Sequence, residues 1–266
     1  MAAQDLTTLE TAISSGTTEQ KRDALFQIRN LSSEIASRAA IPALTDPDPI
    51  VRATAASSVV FLPKPEAVRA LSPLLAERDA FVRKEAAYAL GQVESPDAAA
   101  PLIALLGREK DLEVKAAAAA ALGSSRNPTA IASLGLLFRE KPKEETEFLR
   151  RSAARSIGQI AQSLGSGDTY VVTPQNFLPE KFKMLEGDEI ARKHPEFSTV
   201  TSALASVLRN TKESDDTRRE AAYALGAIGS RDSIAVLESY RSSPDPYLAE
   251  IAREALTKIA NANSAN

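Results

Sequence analysis

Residue types able to do covalent or metal chemistry are scarce in this 266-residue chain, and their spacing assembles no catalytic group. The one histidine, His194, stands before Pro195 in a stretch without helical periodicity. A lone imidazole in such a place reads as a surface residue, not as a metal ligand or general base. With no cysteine, disulfides, thiolate nucleophiles and Cys-based zinc sites are all excluded. The acidic pairs Glu144-Glu145 and Asp215-Asp216 each precede a helical segment, where negative charge suits the helix N-terminus better than it suits acid–base work. Gly165-Ser166-Gly167-Asp168 has glycines but lacks the helix-borne lysine of a phosphate cradle. No Ser/His/Asp arrangement and no dinucleotide fingerprint occurs. The inventory therefore implies no catalytic residue, no metal and no cofactor, and leaves residues that recognise: Tyr88, Arg155 and Tyr223.

These three must be positioned by repeated elements, because Arg83-Lys84-Glu85-Ala86-Ala87-Tyr88-Ala89-Leu90-Gly91 returns as Arg218-Arg219-Glu220-Ala221-Ala222-Tyr223-Ala224-Leu225-Gly226. Taking Arg83 as an anchor, equivalents fall at Lys21, Arg52, Lys115, Arg150, Arg218 and a degenerate Ala249, with successive separations of 31, 31, 32, 35, 68 and 31. Three residues past each anchor stands alanine in all seven copies: Ala24, Ala55, Ala86, Ala118, Ala153, Ala221 and Ala252. Offsets of 3, 7 and 10 carry small or aliphatic residues along one helical stripe. The constant alanine marks a close helix–helix approach. Asp48, Asp79, Asp111 and Asp245 stand four residues before their anchors as N-caps, followed twice by proline. Gly91, Gly123, Gly158 and Gly226, at offset 8, relieve crowding against the next unit. A second helical segment precedes each anchored one, so the unit is helix, turn, helix, and a period near 31 residues describes a solenoid.

The repeated segments resemble HEAT repeats, and more narrowly the short HEAT-like repeat named after the phycobilisome lyases. The resemblance implies an all-α fold, a right-handed α-solenoid of about seven HEAT-like repeats with one insertion. It implies that second helices line the concave side, and that the anchor cations Arg52, Arg83, Lys115, Arg150 and Arg218 bond the cap Asp of an adjacent unit. Some HEAT-type enzymes bind iron through repeated His-Glu pairs; this sequence has none.

Residues 162–196 interrupt the array and account for the 68-residue separation. The expected organisation is repeats over 1–161, the insertion over 162–196 with a short helix in its second half, repeats over 197–260 and a disordered tail at 261–266. Insertions in repeat proteins often carry the specific contact, and Tyr170, Asn176, Phe177 and Phe182 are its candidate partner-binding residues. Offset 5 in the second helices holds Phe26, Ser57, Tyr88, Ala120, Arg155, Tyr223 and Glu254, a column that varies while the core columns do not. Its tyrosines are either interface anchors or rings half-buried between units with their hydroxyls in water.

Composition narrows the function classes. Apolar residues make up 44%, enough for a core, whereas aromatics reach 5% with no Trp, so the core is Ala, Leu, Ile and Val. The balance of 32 basic against 35 acidic residues argues against a nucleic-acid binder with a broad basic field. No secretory signal or membrane span is visible, which reads as cytoplasmic. The expectation is a non-catalytic protein-binding scaffold or adaptor using the concave face and the insertion, with self-association through the insertion as an option. A bilin lyase or isomerase, or a chaperone-like component acting on a phycobiliprotein, is the alternative that the resemblance implies. A nucleic-acid-binding HEAT protein is a weaker one.

Overall fold

The computed structural model describes residues 3–165, 190 and 194–263. Among these residues there are helices and no strand, and the helices form seven consecutive pairs. Two compact units divide the chain, residues 1–125 and 126–266.

The first unit holds four pairs: α1 (Ala3–Ser15) with α2 (Thr18–Asn30), α3 (Glu34–Ala40) with α4 (Pro49–Ser58), α5 (Lys64–Leu71) with α6 (Ala80–Val93), and α7 (Ala99–Arg108) with α8 (Leu112–Ser125). Its second helices stack in succession, α2 on α4, α4 on α6 and α6 on α8. In the second unit lie α9 (Ile131–Leu136) with α10 (Glu147–Gly165), α11 (Glu196–Arg209) with α12 (Asp215–Ile228), and α13 (Ile234–Glu238) with α14 (Pro246–Asn263). There α10 packs on α12, α12 on α14, and the first helices α9 and α11 on each other. Each unit is thus a stack of helix pairs, and the fold is an all-α solenoid. Among the described residues no helix is long and apolar enough to cross a membrane.

The caps fall where the aspartates stand. Asp48 accepts from Ile50 N–H at 2.8 Å, Asp79 from Phe81 N–H at 2.8 Å, Asp111 from Glu113 N–H at 2.9 Å and Asp245 from Tyr247 N–H at 3.0 Å. Thr17 and Ser214 do the same work at the same offset for α2 and α12. At the other end, the residue 11 past the anchor is left-handed in several copies: Ser32, Glu94, Arg126 and Gly229 have φ of 48°, 49°, 54° and 73°.

All seven offset-3 alanines are buried, at 0–2% exposure. The glycine column behaves as a spacer. A Cβ on Gly226 would lie 2.5 Å from the Ala255 Cβ, and one on Gly91 would lie 3.1 Å from the Ala121 Cα. Backbones of successive second helices therefore meet along this seam, which the small side chains make possible.

The cation ladder exists, but its rungs land elsewhere than expected. Lys21 pairs with Asp46 at 2.6 Å, Arg52 with Glu77 at 3.1 Å and Arg83 with Glu109 at 2.6 Å. These acceptors stand two residues before the cap aspartates, whose carboxylates are turned to the helix N–H groups. The guanidinium also closes its own turn, Arg83 donating to the carbonyls of Glu77 and Arg78 at 2.8 and 2.9 Å. In the last pair, the position equivalent to Glu77 is Ser243. Arg218 pairs with Asp215 of its own helix, donates to the Leu208 carbonyl at 3.2 Å and lies 5.6 Å from the Tyr240 ring centroid, while Arg219 makes the ion pair to Asp245 at 2.8 Å.

Candidate partner-binding face

Each second helix has two stripes. Offsets 3, 7 and 10 face the core, and on the opposite side offsets −2 and +5 share a face, since seven residues return within about 20° of the starting direction. The offset-5 candidates lie on that solvent side. Tyr88, on α6 in the first unit, is 37% exposed. Arg155, on α10 in the second unit, keeps 59% of its side chain exposed and donates through Nε to Glu220 of α12 at 2.9 Å. Tyr223 on α12 follows the half-buried alternative. Its ring fills the space over Gly158, where a Cβ would lie 2.4 Å from the ring, and its hydroxyl donates to Gln162. Burial, and then the Glu220 charge, push the Tyr223 phenol above its usual pKa, so it remains a neutral donor. Arg155, Glu220 and Tyr223 thus form one polar cluster across α10 and α12, while Tyr88 belongs to the other unit. Tyr170, Asn176, Phe177 and Phe182 lie outside the described residues.

The offset −2 column escaped sequence reading. Ile50, Phe81, Phe148 and Tyr247 occupy it and are all exposed. Cations attend three of them: Lys84 lies 5.6 Å from the Phe81 ring centroid, Arg151 lies 5.3 Å from Phe148 and Arg219 lies 5.0 Å from Tyr247. The same cations pair with the next helix, Lys84 with Glu113 at 2.7 Å and Arg151 with Asp216 at 3.0 Å. The available signal was an apolar residue two before the anchor in four copies, off the core stripe by more than a third of a turn. The first-turn position made these residues look like helix starts.

A groove of about 520 Å³ opens in the second unit between α9 and α11. It exists because α9 stops after six residues whereas α11 runs for fourteen. Gly135 lets the two helices touch, since a Cβ there would be 3.1 Å from Val200 Cγ2. Beyond that contact Leu136 and Phe138 face Ala203 and Val207. At its floor the buried Arg150 guanidinium lies 5.4 Å from the Phe138 centroid and donates to Glu213 and to the carbonyls of Leu137 and Glu140. Both charges are engaged with each other and with the backbone. His194 borders α11, 3.9 Å from Glu196 and edge-on to Phe197, and no group of three or more metal-ligating side chains occurs among the described residues.

A family profile described as HEAT repeats matches residues 7–90, 37–123, 75–158 and 188–257. Over 60 residues the chain is 38% identical to deoxyhypusine hydroxylase-B of Oryza sativa subsp. japonica. Over 61 residues it is 39% identical to deoxyhypusine hydroxylase of Drosophila pseudoobscura pseudoobscura. Both matches take in 23% of this chain and only 20% of the relative. Among solved structures, an engineered protein superposes with a TM-score of 0.59 at 21% identity, covering 96% of this chain and 68% of the other. A computationally designed armadillo repeat protein for modular peptide recognition gives 0.54 at 16% identity, covering 95% and 99%. The complex of CpcE and CpcF of phycocyanin lyase from Nostoc sp. PCC7120 gives 0.51 at 20% identity, covering 98% and 94%. At such identities the structural likeness concerns the fold.

Proposed function

The chain belongs to the HEAT-repeat family, and from that premise we propose that it is a non-catalytic scaffold that binds a partner protein through its second-helix face and the 162–196 insertion. One observation carries this reading. Offset 3 is alanine in every copy and buried in every copy, while offset 5, two residues on, changes from Phe to Ser, Tyr, Ala, Arg and Glu and is exposed at Phe26, Tyr88 and Arg155. Within each unit, packed backbone positions that carry freely varied side chains are what a recognition surface requires. The single histidine supports the same reading, because the repeated His-Glu pairs of iron-binding HEAT-type enzymes have no counterpart in this sequence.

The test compares the wild-type chain with a triple variant, Phe26→Ala, Tyr88→Ala and Arg155→Ala, whose helicity is first checked by circular dichroism. Both are immobilised and exposed to lysate from the source cells. A stoichiometric partner held by the wild type and lost from the variant is the expected result. Identical retention by the two would remove the second-helix face from the proposal.

A further inference from the structure

We propose that Ser243, in the turn between α13 and α14, is a phosphorylation site whose phosphate completes the cation ladder at its last step. In three rungs the acceptor stands two residues before the cap aspartate: Asp46 takes Lys21, Glu77 takes Arg52 and Glu109 takes Arg83. Ser243 holds that place before Asp245. Its backbone setting is the same as that of two of these acids. The Asp48 N–H donates to the Asp46 carboxylate at 2.9 Å and the Asp111 N–H to Glu109 at 3.0 Å, while the Asp245 N–H donates to the Ser243 hydroxyl at 3.2 Å. A hydroxyl thus sits where other copies hold an acid.

The cation for that acid is in place. Arg218 is the anchor of α12, and it already crosses the seam to lie 5.6 Å from the Tyr240 ring centroid. Ser243 follows Tyr240 by three residues, and its N–H donates to the Tyr240 carbonyl at 3.1 Å. Among the described residues no carboxylate of the last helix pair reaches Arg218. Its one acidic partner is Asp215, three residues back in its own helix at 3.3 Å. The Asp215 side chain is 66% exposed against 15% for Arg218, and a pair of that kind is weak. A phosphate dianion with three acceptor oxygens outcompetes it. The other charges of this turn and its flanks hold one another: Arg219 with Asp216 and Asp245, Arg241 with Glu238, and Arg253 with Glu250. Arg218 is therefore the cation that a new anion at position 243 draws.

The hydroxyl can also be reached. Three serines among the described residues precede proline. Ser72 donates to the Val68 carbonyl at 2.6 Å, and Ser95 is 2% exposed. Ser243 is half-buried between the exposed Ser242 and Pro244, and its hydroxyl accepts without donating to any described residue. The following proline keeps its backbone extended. In the transfer, the Ser243 oxygen bonds to the γ-phosphorus of a nucleoside triphosphate held by a protein kinase. The hydroxyl proton passes to a base of that kinase, and the bond to the departing nucleoside diphosphate breaks.

To test the pairing, phosphoserine is built into the full chain at position 243 or, for reference, at position 242, and the phosphate is titrated by phosphorus NMR. An unperturbed phosphoserine loses its second proton near pH ~6. A guanidinium alongside favours the dianion, so the phosphate at 243 should titrate at least about 0.5 pH units below the one at 242. Arg218→Gln should remove that difference and Arg218→Lys should keep part of it, both variants being checked for helicity by circular dichroism. Amide exchange across residues 240–250 should slow about fivefold when 243 carries the phosphate. Equal titration at the two positions, or a difference that survives Arg218→Gln, would overturn the pairing. Mass spectrometry of the chain isolated from its source cells should find phosphate on Ser243 and none on Ser72 or Ser95. An unmodified Ser243 in growing and in starved cells alike would overturn the modification, leaving Ser243 as the residue at which the ladder ends.

Discussion

Every offset-3 alanine is buried, at 0–2% exposure. Ala86→Leu should therefore overpack the core around α6 and destabilise by about 1–3 kcal/mol, read as a fall in the urea midpoint at unchanged slope. A backbone prediction stands beside it. Gly229 closes α12 in the left-handed region, at φ 73°, with its N–H donating to the Leu225 carbonyl at 3.1 Å. A side chain there meets the following carbonyl, so Gly229→Ala should cost about 1–2 kcal/mol in thermal melts, whereas Gly107→Ala, with open space around it, should not. The alanine seam was legible in the sequence because identity at a fixed spacing repeats in seven copies. The ladder acceptors were not, because Asp46, Glu77 and Glu109 look like ordinary turn charges. Only their position beside the next guanidinium distinguishes them from the cap aspartates.

Helices are joined by ion pairs of unequal burial, and the most buried one should behave differently from the rest. Arg150 and Glu213 are 3% and 6% exposed and link α10 to the turn before α12. Arg150→Met alone strands a buried carboxylate and should cost about 3–5 kcal/mol, while adding Glu213→Leu should recover most of that loss, a coupling that a double-mutant cycle measures directly. Additive losses would show that the pair contributes as two independent packing residues. The Arg83–Glu109 rung gives a pH signature. Burial raises the Glu109 carboxyl, but the Arg83 guanidinium and the N–H groups of Asp111 and Lys110 outweigh it and hold its pKa at about 2. Its folded pKa is depressed, so its stabilisation is fully present above the ordinary glutamate range, near 4.5, and is lost as pH falls toward 2. The stability gap between wild type and Glu109→Gln should hold from pH 7 down to about 5 and then close. Which helices exist was readable from caps and periodicity, but the end of α9 was not. It stops at Leu136, where the chain turns to bring the Leu137 and Glu140 carbonyls onto Arg150, a long-range bond that no local pattern announces.

In the stack of the second unit, the residues between Gly165 and Glu196 interrupt the sequence without interrupting the packing of α10 and α12. Helices α9 and α11 are neighbours, α10 and α12 are neighbours, and Arg150–Glu213, Arg151–Asp216 and Arg155–Glu220 all cross the gap. This is the relation that α6 has to α8 in the first unit, where no insertion intervenes. The separation of 68 residues showed that something extra stood there, and the offset columns put the next anchor at Arg218, which lies on α12. What the extra residues contact could not be read, because they carry neither helical period nor repeat, and four of the seven candidate binding residues fall among them. The offset-5 candidates were found because they lie on the repeat, but only contacts show that Tyr223 fills the hole over Gly158 and that Tyr88 stands open. Since stacking bypasses the insertion, folding should not require it. Replacing residues 166–189 with a short Gly/Ser linker should leave the 222 nm ellipticity per helical residue and the cooperativity of melting unchanged, because every packed seam of the second unit remains. Partner capture by the same variant should fall if the insertion supplies contacts, and a retained partner would shift recognition wholly to the second helices. A broadened or two-step melt would instead mean that the ion pairs and seams across α10 and α12 depend on the inserted residues, contrary to a stack held together by nearest neighbours alone.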